Sequence, residues 1–183
     1  LEGERPWKPE LAPPSGQKVN IIGAGPAGLA AAYHLALMGH SCTVIDRNGR
    51  AGGSLCKEVG AEELPPEVLQ KEIDQIAAVG VEFSLDQTVD ESMFRKLEKS
   101  SDALVVAAGK GESGIAEWGL PMHPKGVVAD GQTYRVEESS GFVVGSALKS
   151  SKLAIRVVGQ GKEVAFSVDQ FLRKASVKGE TFR

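Results

Sequence analysis

Residues 19–46, VNIIGAGPAGLAAAYHLALMGHSCTVID, decide the fold of this chain. The stretch opens with Val19-Asn20-Ile21-Ile22, a short apolar run of strand type. Gly23-Ala24-Gly25-Pro26-Ala27-Gly28 breaks that run. Ala27 to Met38 is rich in alanine and leucine and predicts a helix, with Gly39 as its stop. Cys42-Thr43-Val44-Ile45 predicts a second strand, which Asp46 closes. Strand, glycine turn, helix and strand in this compass make one βαβ unit. Gly23 permits the tight turn, Gly25 lets backbone approach a pyrophosphate, and Gly28 lets helix and strand pack closely. The helix N-terminus, opened by Pro26, offers unpaired N–H groups from Ala27 onward and partial positive charge to phosphates. Asp46, with Arg47 beside it, follows at about the 20-residue spacing of an acid that accepts hydrogen bonds from an adenosine ribose. The glycine pattern alone is a weak signal. The strand before it, the helix after it and the acid beyond it make a dinucleotide-binding turn the better reading.

Working outward, Pro6, Pro9, Pro13 and Pro14 make residues 1–17 an extended lead-in. Residues 47–64 read as irregular. Pro66 to Ala78 predicts a helix through Val68, Leu69, Ile73 and Ile76. Val81 to Ser84 predicts a strand, and Asp90 to Lys99 a helix capped by Asp90. Asp102 to Ala107 is the most apolar strand and belongs at the sheet centre, buried on both faces. Val127–Ala129 and Thr133–Arg135 flank Asp130-Gly131, which predicts a small hairpin or meander. Phe142 to Val144 predicts a last strand, Lys152 to Lys174 a long helix, and residues 175–183 a polar tail. The architecture expected is α/β: a mostly parallel sheet in a Rossmann-like three-layer fold, helices on one side and a small antiparallel meander on the other. Residues 18–174 form its single domain.

Composition narrows the function. The 183 residues carry 21 basic and 24 acidic side chains, a net charge of −3. That balance argues against nucleic-acid binding, which needs a basic face. No apolar run approaches 18 residues, so no membrane partner is expected. Cys42 and Cys56 are too few for a disulfide scaffold or a zinc site. The charged, proline-containing opening LEGERPWKPE is no signal peptide, so a cytoplasmic location is expected. The leucine start is expected from either processing or excision from a longer polypeptide.

Five blocks in order carry a family resemblance. They are GAGPAGLAAAYHLALMGHSCTVID, RAGGSL, VGAEELPPEVLQKEIDQIAAVGVEF, DALVVAAG and GFVVGSALKSSKLAIRVVGQGKEVAFSVDQFL. Together they resemble the FAD-binding domain of the glutamate synthase small-subunit family, relatives of the pyridine nucleotide-disulfide oxidoreductases. The resemblance covers roughly residues 15–174. It implies that FAD is the cofactor, met by the glycine turn, by Gly52 and Gly53 of a Gly-Gly loop, and by Ala108 and Gly109. Gly145, Ser146, Leu153 and Ala154 would meet the flavin end.

Two departures stand out. The family inserts an NAD(P)H-binding domain between the fourth and fifth blocks. Here only residues 110–141 separate Gly109 from Phe142, too few for a domain of about 50 residues or more. NAD(P)H is therefore not expected to bind this chain alone. The family's usual aspartate after Gly145 is Ser146. Loss of a charge-assisted bond there weakens FAD binding by about tenfold.

Other candidates carry less. Lys149 and Lys152 flank the start of the last helix and read as surface charges or helpers at the flavin edge. Cys56 has no partner thiol nearby in sequence. His34, His40 and His123 lack metal-ligand spacing. GGSLC at 52–56 lacks the last glycine of a nucleophile elbow. VVGQGKEVA at 157–165 mimics a dinucleotide turn, but the resemblance places it inside the last helix, where Gly159 or Gly161 would permit close packing against FAD or the sheet. The leading expectation is an FAD-binding oxidoreductase module. It would pass electrons between a redox partner protein or domain, an iron–sulfur protein among the candidates, and an acceptor. Its docking surface would lie around Lys110 to Pro124. The alternatives are a non-catalytic domain retained for assembly and a plain NAD-dependent dehydrogenase.

Overall fold

The computed structural model describes residues 9–109, 114–137, 139–149 and 153–179. The opening unit forms as β1 (Lys18–Ile22), α1 (Pro26–Leu37) and β2 (Ser41–Ile45). A short helix α2 (Ser54–Glu58) follows, then α3 (Pro66–Ala78), β3 (Glu82–Ser84), α4 (Glu91–Lys99) and β4 (Ala103–Val106). A 3-10 turn at Ile115–Trp118 leads into β5 (Met122–His123) and β6 (Gly126–Val127). The chain closes with β7 (Gly141–Val143), a 3-10 turn at Gly145–Ala147 and α5 (Ala154–Leu172).

The main sheet has five strands in the order β3-β2-β1-β4-β7. Every pair in it is parallel, with Ile22 opposite both Ile45 and Val106. Parallel neighbours need crossovers, and the helices supply them. Because side chains alternate along a strand, the sheet feeds two cores. Val19, Ile21, Val44, Val105 and Phe142 pack with α1, α3 and α5. Ile22, Ile45, Leu104, Val106 and Val143 pack on the opposite face with Phe94 and Leu97 of α4, and with Ile115, Trp118 and Val127. All four residues of β4 are buried, as its composition requires.

Two local expectations are corrected. Helices do not all lie on one side, since α4 covers the meander face. Its apolar residues Phe94 and Leu97 have only Leu104, Val106 and their neighbours to bury against. Nor does Asp130-Gly131 turn a hairpin. The Asp130 carboxylate instead accepts from the Thr133 N–H at 2.7 Å, the Thr133 hydroxyl at 2.8 Å and the Gln132 N–H at 3.0 Å. The loop closes on itself, Asp130 N–H meeting Arg135 O at 2.9 Å. The antiparallel pair forms one step earlier, with Met122 opposite Val127. Arg135 then bridges Phe142, covering the outer edge of β7. The stretch 47–64, expected to be irregular, also contains α2.

The lead-in straps the bottom of the sheet. Ala12 N–H bonds Leu37 O and Ser15 N–H bonds Gly39 O, both at 2.8 Å. The buried His40 ring bridges Ser15 Oγ and Asp169 Oδ1, each at 2.8 Å. Lys110, the start of the expected docking stretch, and Lys152 lie outside the described residues.

Candidate functional site

The turn between β1 and α1 is built on glycine for steric reasons. Gly23 has φ +113°, and a side chain there would meet Ala107 O at 2.3 Å. At Gly25 a side chain would meet nothing within 4 Å, because that face opens onto a cleft. Gly25 caps α1 with no side-chain partner, and the first turn holds no acid. The N–H groups of Ala27 and Gly28 therefore make no side-chain hydrogen bond to the N-cap residue.

Two further segments lock the turn in place. Asp46 at the end of β2 accepts the Ala24 N–H on Oδ2 at 2.7 Å. Its Oδ1 accepts the Asn48 N–H at 2.8 Å and Asn48 Nδ2 at 2.7 Å. From the Gly-Gly loop, Gly52 N–H bonds Ala24 O at 2.8 Å. Gly53 stands so close that a side chain on it would meet Gly25 Cα at 2.7 Å.

At the far end, Ser146 lies in the 3-10 turn after β7, and Ala154 is the first residue of α5. That helix, like α1, begins with no side-chain cap and no acid in its first turn. Two helix N-termini thus bound one space. The space is a cleft of about 560 Å³, within the range of small-molecule and cofactor sites. It lies at the carboxyl ends of the strands, where open α/β sheets bind ligands.

Of the residues singled out from sequence, Gly23, Gly25, Pro26, Ala27, Asp46, Arg47, Gly53, Ala108, Gly109, Ser146 and Ala154 line this cleft. Gly28, Gly52 and Gly145 are buried behind it. They hold its walls together at Gly23, at Ala24 and at Ala27. Leu153 is the exposed N-cap of α5 and does not line it. The sequence reading missed Asn48, Lys57, Gln87, Thr88, Glu117 and Trp118, all of which also line the cleft. They sit on loops and short helices without periodicity, and only sheet closure brings them together. Trp118 is held by its indole N–H to Val89 O at 3.2 Å and by stacking on Phe94 at 5.0 Å between ring centroids.

The cysteines lie apart from the cleft. Cys56 is exposed and directs its thiol to Ala51 O at 3.4 Å. Burial pushes the Cys42 thiol up to about 12. Among the described residues no group of three or more His, Cys, Asp or Glu is placed to hold a metal, and no helix is long and apolar enough to cross a membrane.

Residues 21–62 match the NAD(P)-binding Rossmann-like domain family. The chain is 32% identical over 169 residues to the NADPH-Fe(3+) oxidoreductase subunit beta of Geobacter sulfurreducens, covering 86% of this chain and 23% of that protein. It is 39% identical over 113 residues to the NADP(+)-dependent formate dehydrogenase subunit beta of Moorella thermoacetica, covering 57% and 16%. It is 39% identical over 97 residues to the glutamate synthase [NADPH] small chain of Mycobacterium tuberculosis, covering 52% and 20%. The matched region is thus less than a quarter of each relative's length. Among solved structures, Lactococcus lactis thioredoxin reductase aligns with a TM-score of 0.62 at 13% identity, over 86% of this chain and 99% of that one. A Gloeobacter violaceus thioredoxin reductase aligns at 0.61 and 14%, over 91% and 99%. These two show the shared fold. With the family match over residues 21–62, the comparisons point to a flavin or nicotinamide cofactor.

Proposed function

We propose that this chain, a relative of pyridine nucleotide-dependent oxidoreductase subunits such as the glutamate synthase small chain, is an FAD-binding module that passes electrons. One observation carries the reading: a single cleft runs from Asp46 to Ser146 with a helix N-terminus at each end. The residues fit the cofactor, since the open face of Gly25 is a cradle that any side chain would fill. When bound, FAD would supply the redox chemistry, and the protein would orient and tune it.

The chain's own residues divide the work. The first turn of α1 would hold the pyrophosphate through backbone at Gly25 and Ala27, which line the cleft. The Asp46 end would take the adenosine. Ser146 would hydrogen-bond the ribityl chain, and the N-terminus of α5 would favour negative charge at the flavin edge. The short connection from Gly109 to Phe142 leaves no room for a nicotinamide domain, so a partner protein or domain would deliver and remove electrons. An iron–sulfur protein is one such partner.

A second reading is a domain kept for assembly without catalysis. Ile155, 79% exposed in the first turn of α5, favours it, with Leu153 and Val158 beside it. The visible spectrum of the purified protein, followed by identification of the nucleotide released on denaturation, separates the two. Flavin absorption with about one FAD per chain is the expected result. A protein that stays colourless in excess FAD would sink the electron-transfer reading in favour of assembly.

A further inference from the structure

We propose that the first two turns of α5 are the docking surface for an acidic electron-carrier protein, with Ile155 and Val158 as its apolar centre and Lys149 and Arg156 as its basic flank. The inference rests on the electron-transfer reading and names the partner's chemistry and where it seats.

The two halves of α5 differ. Toward its C-terminus the helix is covered by its own chain. Glu163 accepts the Tyr134 hydroxyl, Asp169 meets His40 and Arg173, and Gln170 Oε1 accepts the Lys178 N–H at 2.9 Å. At the start, Leu153, Ile155, Arg156, Val158 and Gly159 are exposed. Val157 alone of residues 153–159 is buried, and with Ala154 it lines the cleft. The bare face therefore lies across one helix from the flavin end. The described part of the docking stretch expected from sequence adjoins it. A side chain at Gly126 would meet Leu148 O at 2.4 Å, so the β5–β6 pair lies against the turn that leads toward α5.

Ile155, Val158 and Gly159 stand three and four positions apart, on one side of the helix. Glycine in an exposed helix interior weakens the helix. Nothing within the chain requires it at Gly159, since a side chain there would meet nothing within 4 Å. Close approach by another molecule does require it.

Charge selects the partner. The chain carries a net charge of −3, yet the sequence from Gly145 to Lys162 holds no acid, and Lys149 and Arg156 are exposed. A basic flank attracts an acidic protein and steers its approach. It opposes a second copy of this chain, because a two-fold interface here would set like charges together. A small apolar centre beside charges suits the weak encounter of an electron carrier, which buries less than about 1,200 Å².

The test loads the full chain with FAD and titrates it by calorimetry with a small acidic ferredoxin, and with basic cytochrome c as the opposite charge. Ferredoxin is expected to bind, about tenfold more weakly at about 500 mM salt than at about 50 mM, and cytochrome c is not. Arg156→Glu and Ile155→Asp should each weaken ferredoxin by about tenfold. Gly159→Gln should weaken it as much while raising the urea midpoint, a split that a merely structural role would not give. Lys99→Glu, an equal change of charge on α4 across the sheet, should leave binding within about twofold. FAD content of each variant separates lost docking from lost folding. If FAD loads and ferredoxin does not bind, or binds the Arg156→Glu and Gly159→Gln variants as well as the parent, the inference is overturned and the electron-transfer reading stands. If the chain takes no FAD, that reading falls and the inference with it. Co-sedimentation with phosphatidylserine vesicles that Ile155→Asp abolishes would give the patch to a membrane surface and overturn the inference as well.

Discussion

Gly159 and Gly161 stand two positions apart on α5 and are glycine for different reasons. A side chain at Gly161 would meet Ala27 O at 2.5 Å and Ala30 Cβ at 2.7 Å, so only glycine lets α5 lie against α1. A side chain at Gly159 would meet nothing within 4 Å. The same substitution should therefore have opposite signs. Gly161→Ala should lower stability by about 1–3 kcal/mol through overpacking. Gly159→Ala should raise it by about 0.5–1 kcal/mol, the usual gain of alanine in a helix interior. Urea midpoints of the two variants against the parent check both. The cysteines divide in a similar way. With its thiol pushed up to about 12 by burial, Cys42 stays protonated at neutral pH. Iodoacetamide should label Cys56 alone in the folded protein and both thiols after denaturation, read by intact mass.

At the scale of elements, the strands and longer helices were legible because hydrophobic periodicity and end signals agree. Asp90 caps α4, accepting the Met93 N–H at 2.7 Å, and α3 spans the residues its apolar spacing predicts. The segment 130–136 was misread because Asp130-Gly131 carries the dipeptide signal of a hairpin, while the Asp130 carboxylate closes a tighter loop. Tertiary contacts then fasten that loop. Tyr134, buried and at φ +62°, donates its hydroxyl to Glu163 of α5. Burial, then the bond to Glu163 and its charge, hold the phenol well above the usual tyrosine range. The folded state thus keeps this proton more tightly than the unfolded chain. The resulting stability is fully present below about pH 10, the ordinary tyrosine value, and declines as pH rises beyond it. Cys42 acts in the same direction from its ordinary value of 9.0 upward. Unfolding midpoints measured from pH 7 to 11 should fall on the alkaline side, and Tyr134→Phe should make that fall shallower without removing it.

For the molecule as a whole, the two cores are not independent. Successive residues of β1, β4 and β7 point alternately into one and the other, as Ile21 and Ile22 do. Neither face can come apart without exposing the strands that serve both, so unfolding should be a single transition. In a Trp7→Phe variant, which leaves Trp118 on the α4 face as the fluorophore, far-UV circular dichroism and tryptophan fluorescence should give coincident urea curves. Separate curves would mean that the α4 face opens first. The sequence by itself determined the parallel α/β architecture, the dinucleotide turn and the positions of its glycines and acid. Those features are local: a strand pattern, a steric requirement for glycine and a short spacing along one βαβ unit. Only the tertiary structure decided which face α4 covers, which loops complete the cleft, and that Asp46 fastens the glycine turn through the Ala24 N–H. These outcomes depend on residues far apart in the chain meeting at the carboxyl ends of the strands, and no local pattern of hydrophobicity or turn chemistry encodes such meetings.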